Sequence, residues 1–116
     1  MKVKIYHNPR CSKSRQALLL LESRDIKPHV ILYLDKGLVH SEIKVLLQLL
    51  GANVRDVMRT KDAIFKENNL DNPSLSEDAL IDALVRLPKL LERPIVVVND
   101  TKAVICRPPE NVYNII

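Results

Sequence analysis

The first 34 residues carry the pattern that most limits the possible folds: a strand, a helix and a second strand in close succession. Residues 2–6 alternate between polar and apolar side chains, as a half-buried strand does. Residues 12–24 are rich in Leu, Ala, Arg, Gln and Glu, which favour helices. Residues 29–34 include Val, Ile, Leu and Tyr, which are typical of strands. Two strands joined by a helix at this spacing are expected to pair in parallel, so the chain is predicted to begin with a βαβ unit.

A helical segment is predicted from about residue 40 to residue 90. Its first helix has apolar residues at helical spacing, with Ser41 as the expected cap and Gly51 as the stop. Shorter helices are expected in the middle of the segment. Ser74 and Glu77 fit a capping box in front of a second apolar helix.

The last part of the chain predicts a β-hairpin followed by a short helix. Residues 95–98 form a run of Ile and Val that is typical of a buried strand. Asn99 and Asp100 suit a two-residue hairpin turn, and residues 103–106 are its expected antiparallel partner. A helix of one or two turns is expected after Pro109.

A βαβ unit followed by a ββα unit is the thioredoxin arrangement. We therefore predict an α/β, thioredoxin-like fold with a four-stranded mixed sheet flanked by helices. The helical insertion between the two halves, about residues 40–90, is longer than an ordinary loop. No linker, repeat or low-complexity stretch interrupts the chain, so we predict a single domain over residues 1–116.

Composition and charge exclude several function classes. The net charge of +4 permits an anionic small ligand without requiring nucleic acid. Phe65 and three tyrosines are the whole aromatic content, which leaves no stacking platform for single strands. The longest apolar runs, residues 18–21 and 95–98, are too short to cross a bilayer. The first residues lack the apolar core of a signal peptide. We expect neither a nucleic acid nor a membrane as partner.

The two cysteines and three histidines do not form a disulfide framework or a metal site. Cys11 and Cys106 lie 95 positions apart, and no histidine has ligand spacing with either. A reducing cytoplasm, in which each thiol is free, is the expected location, and no metal is expected.

Cys11 lies where the first strand gives way to the first helix. The unpaired N–H groups at a helix start carry partial positive charge, which stabilises a thiolate. His7, Arg10, Lys13 and Arg15 are close in sequence and add to the effect. Cysteines in such settings have pKa values of about 3.5–7.5 rather than about 8.5. Cys11 is therefore the predicted nucleophile.

No second cysteine follows Cys11 at the spacing of a Cys-x-x-Cys pair, because that position is Ser14. An adduct on Cys11 must then be resolved by an outside thiol, which points to glutathione or glutaredoxin. The Ser14 hydroxyl either supports the thiolate or caps the helix, and both remain open. Cys106 is either a packed strand residue or an internal resolving thiol.

Four segments in matching order and spacing resemble the glutaredoxin-linked arsenate reductase (ArsC) family, and the similarity covers essentially the whole chain. They are residues 7–15 (His-Asn-Pro-Arg-Cys-Ser-Lys-Ser-Arg), 54–59, 93–97 and 106–109. The resemblance implies that Cys11 is the nucleophile, with His7 assisting thiolate formation. It also implies that Arg59, Arg93 and Arg107 bind the oxyanion.

The chemistry of arginine agrees with this assignment, because guanidinium groups pair with two oxygens of an oxyanion at once. Thioredoxin-like folds place a cis-proline before the strand that faces the reactive thiol. We therefore predict that the Arg93–Pro94 bond is cis and that Pro94 supports the site.

The predicted function is the reduction of arsenate to arsenite, with glutathione as cosubstrate, glutaredoxin as partner and no bound cofactor. Two alternatives fit parts of the sequence. An Spx-like redox-sensing regulator that contacts RNA polymerase ordinarily uses a Cys-x-x-Cys switch, and Ser14 argues against it. A general glutathione-linked thiol reductase would keep Cys11 and Pro94 but would have little use for Arg59 and Arg107.

Overall fold

Four strands and five α-helices make up most of the secondary structure of the computed structural model, which describes all residues from Met1 to Ile116. In chain order they are β1 (Val3–Tyr6), α1 (Ser12–Ser23), β2 (His29–Ile31), α2 (Tyr33–Lys36), α3 (His40–Leu50), α4 (Ala63–Glu67), α5 (Glu77–Arg86), β3 (Ile95–Val98) and β4 (Lys102–Ile105). Three 3₁₀ helices span Val54–Val57, Pro88–Leu90 and Pro109–Asn114. None of the helices combines the length and apolar character that a membrane span requires.

The strands form one four-stranded mixed sheet, as predicted, and their order is β2-β1-β3-β4. Strand β1 pairs in parallel with β2, where Tyr6 lies opposite Ile31. On its other side β1 pairs antiparallel with β3, where Tyr6 lies opposite Ile95. The chain that leaves β1 after Tyr6 therefore emerges between the end of β2 and the beginning of β3.

The β3–β4 hairpin turns at the two residues that the sequence predicts. Asn99 and Asp100 both have positive φ, 54° and 55°. The connection is one residue longer than the predicted two-residue turn, because Val98 pairs with Lys102 and residues 99–101 lie between them. Asn and Asp tolerate positive φ well. Lys2 and Lys4 reach Asp100 at 3.0 and 2.9 Å.

Contacts group the chain into two compact units, and the single domain predicted over residues 1–116 stays a prediction. The first unit comprises Met1–Lys36 and Arg93–Ile116 and holds the sheet, α1 and α2. Its hydrophobic core is formed by Val3, Ile5, Ala17, Leu21, Val96, Val98, Cys106 and Val112. The second unit, Gly37–Glu92, holds α3, α4 and α5.

Strand β2 is shorter than predicted, because it ends at Ile31 and not at residue 34. The chain then forms the one-turn helix α2, which places the Tyr33 ring in the core, 6.5 Å from the ring of Tyr6. Leu32 and Leu34 remain 39% exposed on either side of it. Burial of one aromatic ring outweighs the local preference for an extended run.

Helix α3 begins two residues earlier than a cap at Ser41 predicts, and Ser41 is not its cap. Val39 is the N-cap residue, and its N–H donates to the Glu42 carboxylate at 3.2 Å. The Glu42 carboxylate, three residues after the N-cap residue, thus satisfies a main-chain N–H at the start of the helix without a hydroxyl cap. The predicted stop at Gly51 is confirmed, with φ of 63°.

The cap of α5 is Ser76, so the predicted capping box of Ser74 and Glu77 is wrong. The Ser76 hydroxyl accepts a hydrogen bond from the N–H of Ala79 at 3.1 Å. Ser74 bonds instead to the Asn72 side chain, at 2.8 Å. The helix is therefore capped by Ser76, which directly precedes the acidic first turn, and not by Ser74.

Candidate active site

Cys11 occupies the predicted position, between β1 and the first turn of α1. It is the N-cap residue of the helix, with extended backbone angles (φ −95°, ψ 122°), and its side chain is partly exposed. Asn8 shapes the preceding turn, since its carbonyl accepts from the Cys11 N–H and its side chain accepts from the Arg10 N–H, each at 3.0 Å. The turn therefore presents the sulfur at the open end of the helix.

The surroundings of Cys11 lower the pKa of its thiol below the ordinary value. Burial is the largest influence and acts in the opposite direction, because it disfavours the charged form. It is outweighed by hydrogen bonds from the Ser14 N–H, the Arg93 guanidinium and the Lys13 N–H, and by the positive charge of Arg93. The result is a sulfur that ionises more readily than a free cysteine and is accordingly a better nucleophile near neutral pH.

The Ser14 hydroxyl is fully buried beneath the loop and faces His7 and not the sulfur. It lies 2.7 Å from His7 Nδ1 and accepts a hydrogen bond from the Asn8 N–H at 3.0 Å. Burial, followed by the charge of Arg15, lowers the pKa of His7, so the imidazole is neutral at neutral pH. Ser14 thus acts on the thiol through its main chain, while its hydroxyl fixes the loop.

Arg93 and Arg107 lie close together in the first unit, at the end of the sheet where β1 finishes and β3 begins. The Arg107 guanidinium donates to the Arg93 carbonyl at 3.1 Å. The Arg93–Pro94 bond is cis, as predicted. A second cis bond joins Arg107 to Pro108. This bond was not predicted, although the sequence has the same Arg-Pro pair at both positions.

Arg59 lies in the second unit, where its side chain contacts the carboxylate of Glu92. Arg59 Nη1 lies 3.4 Å from Glu92 Oε1, and the two side chains are 27% and 25% exposed. The main chain holds both residues, because the Arg59 N–H donates to Leu90 and the Glu92 N–H donates to Val57, each at 2.7 Å. The buried Arg59 Nε has no hydrogen-bond partner. Glu92 was not predicted as a site residue, although its position directly before Arg93 in the sequence was a signal for it.

Cys106 is a core residue of the first unit. Its side chain is fully buried among the aliphatic residues of the sheet and α1. Burial raises the pKa of its thiol to about 12. A thiol that is buried and protonated cannot attack an adduct on Cys11. Cys106 therefore agrees with the prediction of a packed residue and not with that of an internal resolving thiol.

The charge around Cys11 suits an anion. No group of three or more His, Cys, Asp or Glu side chains is arranged to hold a metal ion. The Cys11 sulfur lies instead at a helix start beside Arg93, and the Arg107 guanidinium contacts the Arg93 carbonyl. Guanidinium groups and helix N–H groups both bind oxyanions, so the site can hold an anion next to an ionised nucleophile.

Comparison with known proteins identifies the family of this chain. A sequence model of the ArsC family matches residues 6–115. This chain belongs to the ArsC family. The uncharacterized protein YfgD of Escherichia coli K12 is 54% identical over 115 residues, covering 98% of this chain and 96% of YfgD. An arsenate reductase of Neisseria meningitidis serogroup A is 53% identical over 111 residues, covering 95% of this chain and 94% of that protein.

A solved arsenate reductase has nearly the same structure as this chain. The arsenate reductase from Vibrio cholerae superposes with a TM-score of 0.97 at 52% identity, covering 100% of this chain and 98% of that chain. The resemblance stated from four short segments is thereby confirmed, and so is the α/β, thioredoxin-like fold.

Proposed function

We propose that this chain reduces arsenate to arsenite with the Cys11 thiolate as nucleophile and glutathione and glutaredoxin as the source of electrons. One observation carries the proposal: an ionisable sulfur is hydrogen-bonded to Arg93 in a chain about half identical, along its length, to proteins named arsenate reductase. The lowered pKa supplies the nucleophile, and the guanidinium supplies a partner for the oxyanion.

In the first step Arg93 and Arg107 bind the arsenate oxygens, and Cys11 Sγ attacks arsenic. A sulfur–arsenic bond forms, and one arsenate oxygen leaves as water after taking up protons. Arg59 is proposed as the third oxyanion ligand on the basis of the family resemblance. Positive groups that face developing negative charge on the oxygens stabilise the transition state. His7 assists by holding Ser14, whose N–H bonds the sulfur.

In the second step a glutathione thiolate attacks Cys11 Sγ. The sulfur–sulfur bond forms, the sulfur–arsenic bond breaks, and its electron pair stays on arsenic, which passes from the pentavalent to the trivalent state. The products are arsenite and a Cys11–glutathione mixed disulfide. A glutaredoxin thiolate then takes the glutathionyl group and frees the Cys11 thiolate. Ser14 and the buried Cys106 both support the use of an outside thiol.

Glutathione is a cosubstrate in this scheme, and no bound cofactor takes part. Both steps need a compartment that keeps thiols reduced, so we place the protein in the cytoplasm.

A coupled assay tests the proposal. Arsenate-dependent NADPH consumption is measured with glutathione, glutaredoxin and glutathione reductase, and Cys11→Ser should abolish it. Arg59→Ala should raise the KM for arsenate at least tenfold, roughly the loss of one charged hydrogen bond, while glutathionylation of Cys11 continues. The matched control is Arg86→Ala, which removes an exposed arginine of the same unit.

Three results would redirect the assignment. Disulfide exchange without arsenate turnover would favour a general glutathione-linked thiol reductase. Co-purification with RNA polymerase would favour a regulator. Equal loss of arsenate use and glutathionylation in Arg59→Ala would show that Arg59 is not an oxyanion ligand.

A further inference from the structure

A short antiparallel bridge in the second unit holds two segments of the chain side by side. Met58 pairs with Leu91, and the two side chains are buried. The bridge is flanked by the hydrogen bonds that the N–H groups of Arg59 and Glu92 donate to the opposite segment, each at 2.7 Å. Because successive side chains of an extended segment point to opposite faces, Arg59 and Glu92 share the face that the bridge pair does not occupy. Glu92 is therefore a diagonal neighbour of Arg59 across the bridge.

Glu92 is the only side chain that bonds the Arg59 guanidinium. Its Oε1 lies 3.4 Å from Nη1, and the side chain of Arg59 has no other hydrogen bond or ion pair within the chain. This contact uses one of the five N–H groups of the guanidinium. Among the others, the Nε–H is buried without a hydrogen-bond partner. The guanidinium is therefore oriented by one contact and keeps donors for a ligand with several oxygens.

We propose that Glu92 is a positioning residue, which holds the Arg59 guanidinium ready for an oxyanion through the contact at Nη1. The inference rests on the proposed function, in which Arg59 is the third oxyanion ligand. An arginine side chain without such a contact samples many rotamers, and ordering it on binding weakens the affinity for the ligand. The bridge fixes the two main chains and Glu92 fixes the guanidinium, so this ordering is complete once the protein has folded.

A carboxylate beside an anion ligand also has an opposing effect, because it repels the anion. The side chains of Arg59 and Glu92 are 27% and 25% exposed, so water and dissolved ions reach the pair and screen this repulsion. The benefit of an ordered guanidinium is not screened. We therefore expect positioning to outweigh repulsion, so that removal of Glu92 weakens the binding of arsenate.

The kinetic experiment compares three substitutions of Glu92 in the coupled assay. Glu92→Ala removes the contact and should raise the KM for arsenate about three- to tenfold, the effect of ordering one long side chain on binding. Glu92→Asp keeps the charge, but its shorter side chain no longer reaches Nη1, so it should behave like Glu92→Ala. Glu92→Gln keeps the length and an acceptor oxygen, so its KM for arsenate should stay within about twofold of the wild type. The KM for glutathione should not change in any of them.

The matched control is Glu67→Ala. It removes an exposed carboxylate of the same unit, whose side chain has no ion pair or hydrogen bond within the chain. The control should keep both KM values of the wild type. A general loss of structure would change both KM values, whereas a positioning role changes only that for arsenate and is rescued by Gln.

The binding experiment titrates arsenate alone by calorimetry and does not depend on turnover. A Cys11→Ser background is used, so that no sulfur–arsenic bond forms. In this background Glu92→Ala and Glu92→Asp should weaken arsenate binding about three- to tenfold, and Glu92→Gln should not.

Two results would overturn the inference while arsenate turnover persists. The first is that Glu92→Ala and Glu92→Asp match the Glu67→Ala control in both experiments. The second is that Glu92→Ala and Glu92→Gln both bind arsenate more tightly than the parent protein, because Glu92 would then act only as a repelling charge. If the wild type reduces no arsenate, the proposed function fails, and the titration still decides whether Glu92 holds Arg59 for an oxyanion.

Discussion

Replacing Ser14 by alanine separates the two roles that the sequence left open for this residue. The hydroxyl is completely buried, and its removal leaves the Asn8 N–H and His7 Nδ1 without their partner. A buried polar group that loses its hydrogen bond costs about 1–3 kcal/mol, so two such groups should lower the free energy of unfolding by about 2–6 kcal/mol. That is a large share of the 5–15 kcal/mol that is typical of a domain.

The loss is measured by urea denaturation, where, at a slope of about 2 kcal/mol per M, it should lower the midpoint by about 1–3 M. Ser12→Ala is the matched control, because Ser12 is exposed at the same helix start and its side chain takes part in no hydrogen bond. The control should change stability by less than about 0.5 kcal/mol. The pH at which Cys11 reacts with iodoacetamide should stay the same in Ser14→Ala, since the N–H of residue 14 is retained.

Two results would refute this reasoning. A loss of stability below about 1 kcal/mol would mean that the Ser14 hydroxyl is not the acceptor that holds the loop. A rise in the pH at which Cys11 reacts would mean that the hydroxyl, and not the main-chain N–H, stabilises the thiolate.

Three further outcomes follow from the pKa shifts. Arg93→Gln should move the reaction of Cys11 with iodoacetamide to higher pH, because Arg93 lowers the pKa of that thiol by hydrogen bond and charge; an unchanged profile would contradict the contact. Cys106 should stay unmodified in the folded protein at pH 9, since burial raises the pKa of its thiol to about 12, and mass spectrometry after unfolding should then find it reactive. The pKa of His7 is lowered in the folded state, so the unfolded chain binds the proton more readily. Stability should therefore fall as the pH drops through about 6.5, and His7→Asn should flatten that fall in urea titrations at pH 5–8; equal slopes would remove His7 as the cause.

The parts of the fold that the sequence predicts well are those set by neighbouring residues. The alternation in β1, the helix formers of α1 and the Asn99–Asp100 turn act locally, and each lies where it was expected. The end of β2 was missed because Tyr33 turns inward to meet Tyr6, a contact that local propensity does not encode.

The candidate site divides in the same way. The position of Cys11 follows from the order of strand, turn and helix, and the cis bond before Pro94 was expected from the fold. The pairing of Arg59 with Glu92 depends on residues 33 positions apart. The direction of the Ser14 hydroxyl depends on how the loop folds back over His7, which spacing alone leaves open.

The enclosure of Cys106 has a consequence for oxidative stress. Since Cys11 is the only sulfur of a cysteine within reach of solvent, a peroxide would convert it to a sulfenic acid that no second thiol of the chain can trap. Recovery would then depend wholly on small thiols in the surroundings, so the working fraction of the protein should follow their concentration. Peroxide treatment followed by mass spectrometry should find oxidised Cys11 and no Cys11–Cys106 bond.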